Sequence, residues 1–90
     1  MVELKKIRDR IREIADRPKN VRLSDIEWVV NRLAQNGYST RAARNEHQVL
    51  FTVQNVKFSV CTHHGGGSQV KPVYVKSFLS AMIDLGLYED

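Results

Sequence analysis

The sequence has little of several residue types, and each shortage excludes a class of protein. Its 90 residues include one cysteine, Cys61, so no disulfide can form within the chain. No stretch approaches the roughly 20 apolar residues of a membrane-spanning helix, and the charged start MVELKKIRDR lacks the apolar segment of a signal peptide. The glycines lack the Gly-Lys-Ser/Thr ending of a phosphate-binding loop. These absences predict a soluble, cytoplasmic protein without a membrane partner.

The residues that are present indicate a small globular domain with an uneven charge distribution. Hydrophobic residues make up 42% of the chain and charged residues 27%, as in folded rather than disordered proteins. Residues 1–22 hold eight Lys/Arg against four Asp/Glu, which is the whole net charge of +4. Residues 38–76 hold five Lys/Arg against one Glu. Such regions attract RNA or an acidic partner protein, although a merely solvated surface is the alternative.

The first helical pattern lies in residues 2–16, where apolar residues recur at steps of three and four and form one stripe. Asp16-Arg17-Pro18 ends this helix because proline disfavours a helical residue before it. The segment RPKNVR that follows has the composition of a linker, so the helix could be an appendage. Its stripe would pack either on the domain or on a second copy, giving a homodimer through the N-terminal helix. The stripe consists of Leu4, Ile7, Ile11 and Ile14.

A second helix is predicted in the segment LSDIEWVVNRLAQNG. Ser24 can cap its start, and Glu27, three residues later, completes a capping box. Trp28 lies off the centre of the apolar stripe, which favours a flanking position in the core over a role in stacking on a base. Asn36-Gly37 is a typical helix exit.

A third helix starts after Lys71-Pro72 and ends at Gly86, and the segment before it contains three predicted strands. Their β-branched and aromatic residues alternate with polar ones. The resulting order, α-α-β-β-β-α, predicts a two-layer α+β domain in which helices cover one face of an antiparallel sheet. The strand segments are YSTRAAR, HQVLFTV and VKFSVCT.

Alternation also predicts how the second and third strands pair. A two-residue turn at Gln54-Asn55 puts every apolar pair on the face towards the helices, whereas a slip of one residue would turn one set outward. The pairs are Val53 with Val56, Phe51 with Phe58, and Val49 with Val60. Continuing this register puts His47 opposite Thr62 and diagonal to His64, about 7 to 8 Å away. His63 falls on the opposite face, near Glu46.

Two histidines at this end of the sheet could act as an acid and a base, because imidazole exchanges protons near neutral pH. A structural role for a histidine at a strand end is the alternative. A zinc site made of His47, Cys61, His63 and His64 is a competing hypothesis, but alternation distributes these residues over both faces and the spacing is not that of common zinc sites. Cys61 has no base beside it in this register, so a role as nucleophile is less favoured.

Several short motifs occur in a specific order. A helix ends in Gly37-Tyr38, a histidine opens the second strand in Asn45-Glu46-His47, and the third strand ends FSVCTHHG. Lys71-Pro72 then leads into VKSFLSAMIDLGL. From Leu23 to Leu87 the sequence thereby resembles the HicA-type toxins, the messenger-RNA interferases of type II toxin-antitoxin pairs.

The resemblance implies a double-stranded-RNA-binding-domain-like α-β-β-β-α fold in residues 23–90, with residues 1–22 as an extra N-terminal amphipathic helix and linker. It implies RNA cleavage by the histidine at the start of the second strand, which is His47, and a HicB-like antitoxin as partner. The family commonly has Gly-Ser where Asn45-Glu46 stands here. The loop after His64 is longer than is typical, so His63 and His64 are both candidates for the family's second histidine position.

These arguments together predict an endoribonuclease acting on messenger RNA without a metal or other cofactor. His47 and His64 are the expected catalytic residues. Arg44, Lys71 and Lys76 are candidates for binding RNA phosphates, because they flank the His47 end of the hairpin in sequence. The alternative is a non-catalytic module that binds RNA or a protein with the same fold.

Overall fold

The computed structural model describes residues 2–44, 48–61 and 69–89, and it is an α+β structure of three helices and a three-stranded antiparallel sheet. The elements occur in the predicted order. They are α1 (Val2–Asp16), α2 (Leu23–Gln35), β1 (Thr40–Arg44), β2 (Gln48–Val53), β3 (Val56–Cys61) and α3 (Pro72–Asp84).

The sheet has the strand order β1-β2-β3, and the predicted register of its second hairpin is confirmed. Val53 pairs with Val56 across the turn, and the pairing continues to Gln48 opposite Cys61. Alternation determines this register because one face must be apolar. In the two-residue turn, Gln54 has a φ of 55° and its backbone N–H donates to the Ser39 carbonyl.

The core lies between one face of the sheet and the helices. The rings of Phe51 and Phe58 stack with centroids 5.3 Å apart, and Phe78 of α3 meets Phe58 edge-on at 5.6 Å. Offset and edge-on aromatic pairs such as these are the favoured geometries. The opposite face of the sheet carries exposed side chains, among them Leu50 and Lys57. The sheet residues in the core are Val49, Phe51, Val53, Phe58 and Val60.

Helix α1 packs into this same core. Ile7, Ile11 and Ile14 are all at most 1% exposed and belong to one cluster with residues of α2, α3 and the sheet. Of the two partners considered for the isoleucine stripe, the stripe therefore packs on the rest of its own chain. A homodimer through α1 would have to use the charged faces of the helix instead.

Trp28 has the flanking position that the sequence predicts. It is half-buried against the core, and the guanidinium groups of Arg10 and Arg32 lie over its ring at 4.6 and 5.0 Å from the centroid. Arg10 also lies 3.6 Å from the Asp25 carboxylate, which links α1 to the start of α2. The indole therefore contacts the core and two guanidinium groups, as expected for a structural tryptophan.

The predicted start of α2 is wrong by about two residues. The N-cap residue is Arg22, whose backbone N–H donates to the Asp25 carboxylate at 3.0 Å. Ser24 lies inside the first turn, and Glu27 contacts Arg44 instead of closing a capping box. The cause is a contact that is distant in sequence: Arg22 is held extended by an antiparallel bridge to Gln69, so the helix begins directly after it.

The ends of α2 and α3 agree with the prediction. Gly37 and Gly86 have φ of +93° and +76°. Gly37 donates to the Ala34 carbonyl and Tyr38 to the Leu33 carbonyl, a pair of hydrogen bonds that defines a Schellman motif. Gly86 and Leu87 repeat this arrangement at the end of α3.

Within the described residues, no helix combines the length and the apolar character needed to cross a membrane.

Candidate functional site

The candidate site lies at one end of the sheet, which we call the open end. Here β1 ends at Arg44, β2 begins at Gln48 and β3 ends at Cys61. Gln48 is opposite Cys61, and Arg44 is opposite Val49. In the sequence, His47 directly precedes Gln48, and Thr62-His63-His64 directly follows Cys61. The segments that contain the predicted catalytic residues are therefore attached to neighbouring strands at the same end.

His47, His63, His64 and Glu46 themselves lie outside the described residues, so their predicted meeting stays a prediction. The same holds for the zinc hypothesis, which needs all three histidines together with Cys61. Among residues 2–44, 48–61 and 69–89, no group of three or more His, Cys, Asp or Glu is placed to hold a metal ion.

Lys71 is brought to the open end by its backbone. Its N–H donates to the Cys61 carbonyl at 3.4 Å, and the residue is the N-cap of α3. Its side chain is exposed and forms no cap hydrogen bond, and the first turn of α3 contains no acidic residue. Because the N-terminus of a helix has a partial positive charge, a lysine here is electrostatically unfavourable for the isolated domain. An anion bound nearby would offset that cost.

Arg44 lies on the far strand of the open end, two strand spacings or about 10 Å from β3. Its side chain is 61% exposed and forms an ion pair with Glu27 of α2. Exposed pairs of this kind contribute only about 0 to 1 kcal/mol. Arg44 can therefore exchange Glu27 for a phosphate at little cost.

Lys76 is exposed on α3, five residues after Lys71 and so about 7.5 Å further along the helix axis. Of the three predicted phosphate-binding residues, Arg44 and Lys71 thus share the open end, and Lys76 lies beyond it.

Tyr74, in the first turn of α3, is partly buried against the core and also lies at the open end. Hydrogen bonding to the Cys61 side chain, the electrostatic interaction with Cys61 and partial desolvation raise the pKa of Tyr74 above its ordinary value of 10.0. The spacing of apolar residues along α3 gives no signal for this contact. The contact depends on the position of β3, which is set by tertiary structure.

A second polar surface lies on the uncovered face of the sheet. Arg41 and Lys57 are both paired with Thr52, so the two cations lie on either side of it across the strands. An open groove of about 370 Å³ runs along these residues to the exposed Leu50. This groove is lined by two cations and by no acidic side chain, which fits binding of an anion.

The fold and the open end together define a small α+β domain with a cationic sheet end. No protein-family model matches the chain, and no curated protein or solved structure matches it at a significant level.

Proposed function

We propose that this protein is an endoribonuclease of the messenger-RNA interferase type, similar to the HicA-type toxins, and that it cleaves RNA at the open end of the sheet without a metal ion. The observation that carries the proposal is the pairing of Gln48 with Cys61. The segment ending in His47 and the segment beginning Thr62-His63-His64 are thereby attached to paired strands at one end of the sheet, beside the cation Lys71.

The order of elements supports the proposed family. Helix α2, strands β1 to β3 and helix α3 follow each other as α-β-β-β-α, with the apolar face of the sheet against the helices. This is the order that the resemblance implies for a double-stranded-RNA-binding-domain-like fold in residues 23–90. Helix α1 is then an addition that packs into the same core.

The proposed reaction is attack of a ribose 2′-hydroxyl on the adjacent phosphate. His47 accepts the proton of the 2′-hydroxyl as the new P–O2′ bond forms. His64 donates a proton to the 5′-oxygen as the P–O5′ bond breaks, leaving a 2′,3′-cyclic phosphate and a 5′-hydroxyl. General acid and base groups each contribute about 10²- to 10⁴-fold in such reactions.

The cations stabilise the negative charge that develops on the phosphate during cleavage. Lys71 lies at the N-terminus of α3, where the helix dipole adds to its own charge. Arg44 flanks the site from β1 and Lys76 lies further along α3, in positions suited to the neighbouring phosphates of the strand. These contacts bind RNA without reading its bases.

A cleavage assay with purified protein tests the proposal. Wild type is expected to cleave single-stranded RNA in the presence of a chelator and to leave 2′,3′-cyclic phosphate ends. His47→Ala should lower the rate at least about 10²-fold while leaving the circular dichroism spectrum unchanged. His64→Ala and His63→Ala form a matched pair, of which only the first should cause a comparable loss. Unchanged cleavage by a folded His47→Ala protein would overturn the assignment.

In cells the proposal predicts growth arrest with degraded messenger RNA on expression of wild type, and normal growth with His47→Ala. It also predicts a small neighbouring gene encoding a HicB-like antitoxin that covers the active face. The cytoplasm, where messenger RNA is translated, is the proposed location.

The second candidate function is a non-catalytic module that binds RNA or a protein. The uncovered sheet face favours it, because Arg41 and Lys57 flank an open groove there. RNA binding that survives His47→Ala but is lost in Arg41→Gln/Lys57→Gln, with no cleavage by wild type, would favour this function.

A further inference from the structure

Backbone hydrogen bonds hold the linker between α1 and α2 beside the open end of the sheet. Arg22 and Gln69 form an antiparallel bridge, and the Val70 N–H donates to the Val21 carbonyl at 2.8 Å. The Gln69 side-chain amide donates to the Lys19 carbonyl at 2.6 Å. Two residues beyond Gln69, Lys71 contacts the end of β3. The bridge therefore joins the linker to the start of α3.

The bridge also orients the side chains. Val21 and Val70 are at most 1% exposed, so this face of the bridge is in the core. Extended backbone alternates its side chains between two faces, which places Arg22 and Lys71 on the opposite face, towards solvent. Both residues are exposed, as is Lys19. The chain thus brings Lys71 into one neighbourhood with Lys19 and Arg22, which lie about 50 positions earlier in the sequence.

In the part of the chain that the structure describes, the side chains of Lys19, Arg22 and Lys71 form no ion pair. Asp25, the acidic residue closest in sequence to Arg22, is occupied by the Arg22 backbone N–H and lies 3.6 Å from Arg10. Like charges held close together destabilise a domain. A bound polyanion would reverse this effect.

We propose that Lys19 and Arg22, together with Lys71, form an RNA-backbone site, which we call the linker patch, and that it binds the phosphates next to the one cleaved. This inference rests on the proposed function, because it names where the substrate continues from the open end. Lys71 belongs both to the linker patch and to the open end, so an RNA strand can pass from one to the other without leaving the protein. The linker patch recognises the charge of the RNA backbone and not the base sequence.

The test measures binding of a mixed-sequence single-stranded RNA oligonucleotide by fluorescence anisotropy, with every variant made in the His47→Ala background so that the RNA stays intact. Lys19→Gln/Arg22→Gln is expected to weaken binding about tenfold at physiological salt. It should also lower the slope of log K against log salt by about 1.4, since each single-strand phosphate contact contributes about 0.7. Thermal unfolding should be nearly unchanged, because both side chains are exposed.

Lys6→Gln/Arg8→Gln is the matched control. It removes the same charge from two exposed positions of α1, which lie about 12 to 15 Å along the helix from its end at Asp16. The control should change affinity less than twofold. Equal weakening by both double variants, or no weakening by the first, would overturn the linker patch.

The outcomes for the two proposals are separable. RNA binding that depends on Lys19 and Arg22, without any cleavage by wild type, would refute the nuclease and leave the linker patch standing. If wild type cleaved RNA but Lys19→Gln/Arg22→Gln bound RNA with unchanged affinity, the nuclease would stand and the linker patch would be refuted. Binding of polyglutamate but not of RNA would overturn the linker patch by assigning these cations to an acidic protein.

Discussion

At the level of single side chains, the contact between Tyr74 and Cys61 makes the start of α3 sensitive to alkaline pH. The hydrogen bond requires the proton of the tyrosine, and the pKa of Tyr74 is therefore raised above 10.0 in the folded protein. Its stabilising effect is complete below pH 10.0, the ordinary value, and is lost as the pH rises through the folded-state pKa. Near neutral pH, Tyr74 keeps its proton.

We expect Cys61→Ala to lower the pKa of Tyr74 towards its ordinary value, because the principal cause of the shift is removed. The measurement is a titration of the tyrosine ring carbons by NMR. Ser59→Ala is the control, since it alters the same strand two residues away from Cys61. A pKa of Tyr74 that is the same in Cys61→Ala and wild type would contradict the contact.

For single residues, the predictions from sequence were most accurate in the strands, where apolar and polar residues alternate. The pairing of Phe51 with Phe58 follows from the apolar pattern alone. Tyr74 was missed because its partner Cys61 is on another element. The positions of Arg44 and Lys71 at the open end were anticipated from their places in the chain, yet the ion pair of Arg44 with Glu27 had no signal in the sequence.

At the level of elements, the two Schellman motifs give α2 and α3 defined ends. Gly86 has a φ of +76°, which an L-residue with a side chain adopts only with strain, and nothing lies within 4 Å of a Cβ built there. A substitution of Gly86 therefore destabilises the fold through backbone strain and not through a steric clash. Gly86→Ala should reduce the free energy of unfolding by about 1 kcal/mol.

Gly86→Asn tests whether backbone strain, and not another effect, causes the destabilisation expected for Gly86→Ala. Asparagine tolerates the left-handed region better than alanine, so it should cost less than Gly86→Ala when both are measured by denaturant unfolding. An asparagine variant as destabilised as the alanine variant would show that side-chain packing, not φ, governs this position.

The start of α2 shows why an element boundary can be missed. Ser24 and Glu27 satisfy the local pattern of a capping box, but the bridge between Arg22 and Gln69 determines where the helix begins. The residues of this bridge are 47 positions apart. Local patterns contain no information on such a pairing, which is also why the segment RPKNVR was interpreted as a mere linker.

At the level of the whole molecule, α1 is part of one compact body. The radius of gyration is 12.2 Å, and the scaling for compact domains gives about 12 Å for a chain of this length. The residues that hold the net positive charge are thereby fixed against the sheet and helices. The open end and the linker patch therefore lie on one body, as the proposed binding of a single RNA strand to both requires.

Removal of residues 1–22 should therefore abolish cooperative folding, and with it the proposed RNA cleavage. The truncation deletes four core side chains, Ile7, Ile11, Ile14 and Val21, each at most 1% exposed. Burial of such a side chain contributes about 1.5 to 3 kcal/mol, so the loss approaches the whole stability of a small domain, about 5 to 15 kcal/mol. Urea unfolding followed by circular dichroism measures the effect.

Ile11→Ala in the full chain shows how much unfolding free energy a single buried isoleucine of α1 contributes, and so serves as the reference for the truncation. Because Ile11 is fully buried, the variant should lose about 2 to 5 kcal/mol and still unfold in one transition. If residues 23–90 alone unfolded cooperatively with nearly the stability of the full chain, α1 would be an appendage after all. The contacts of its isoleucines would then contribute little, and the linker patch could be removed without loss of the sheet that supports the open end.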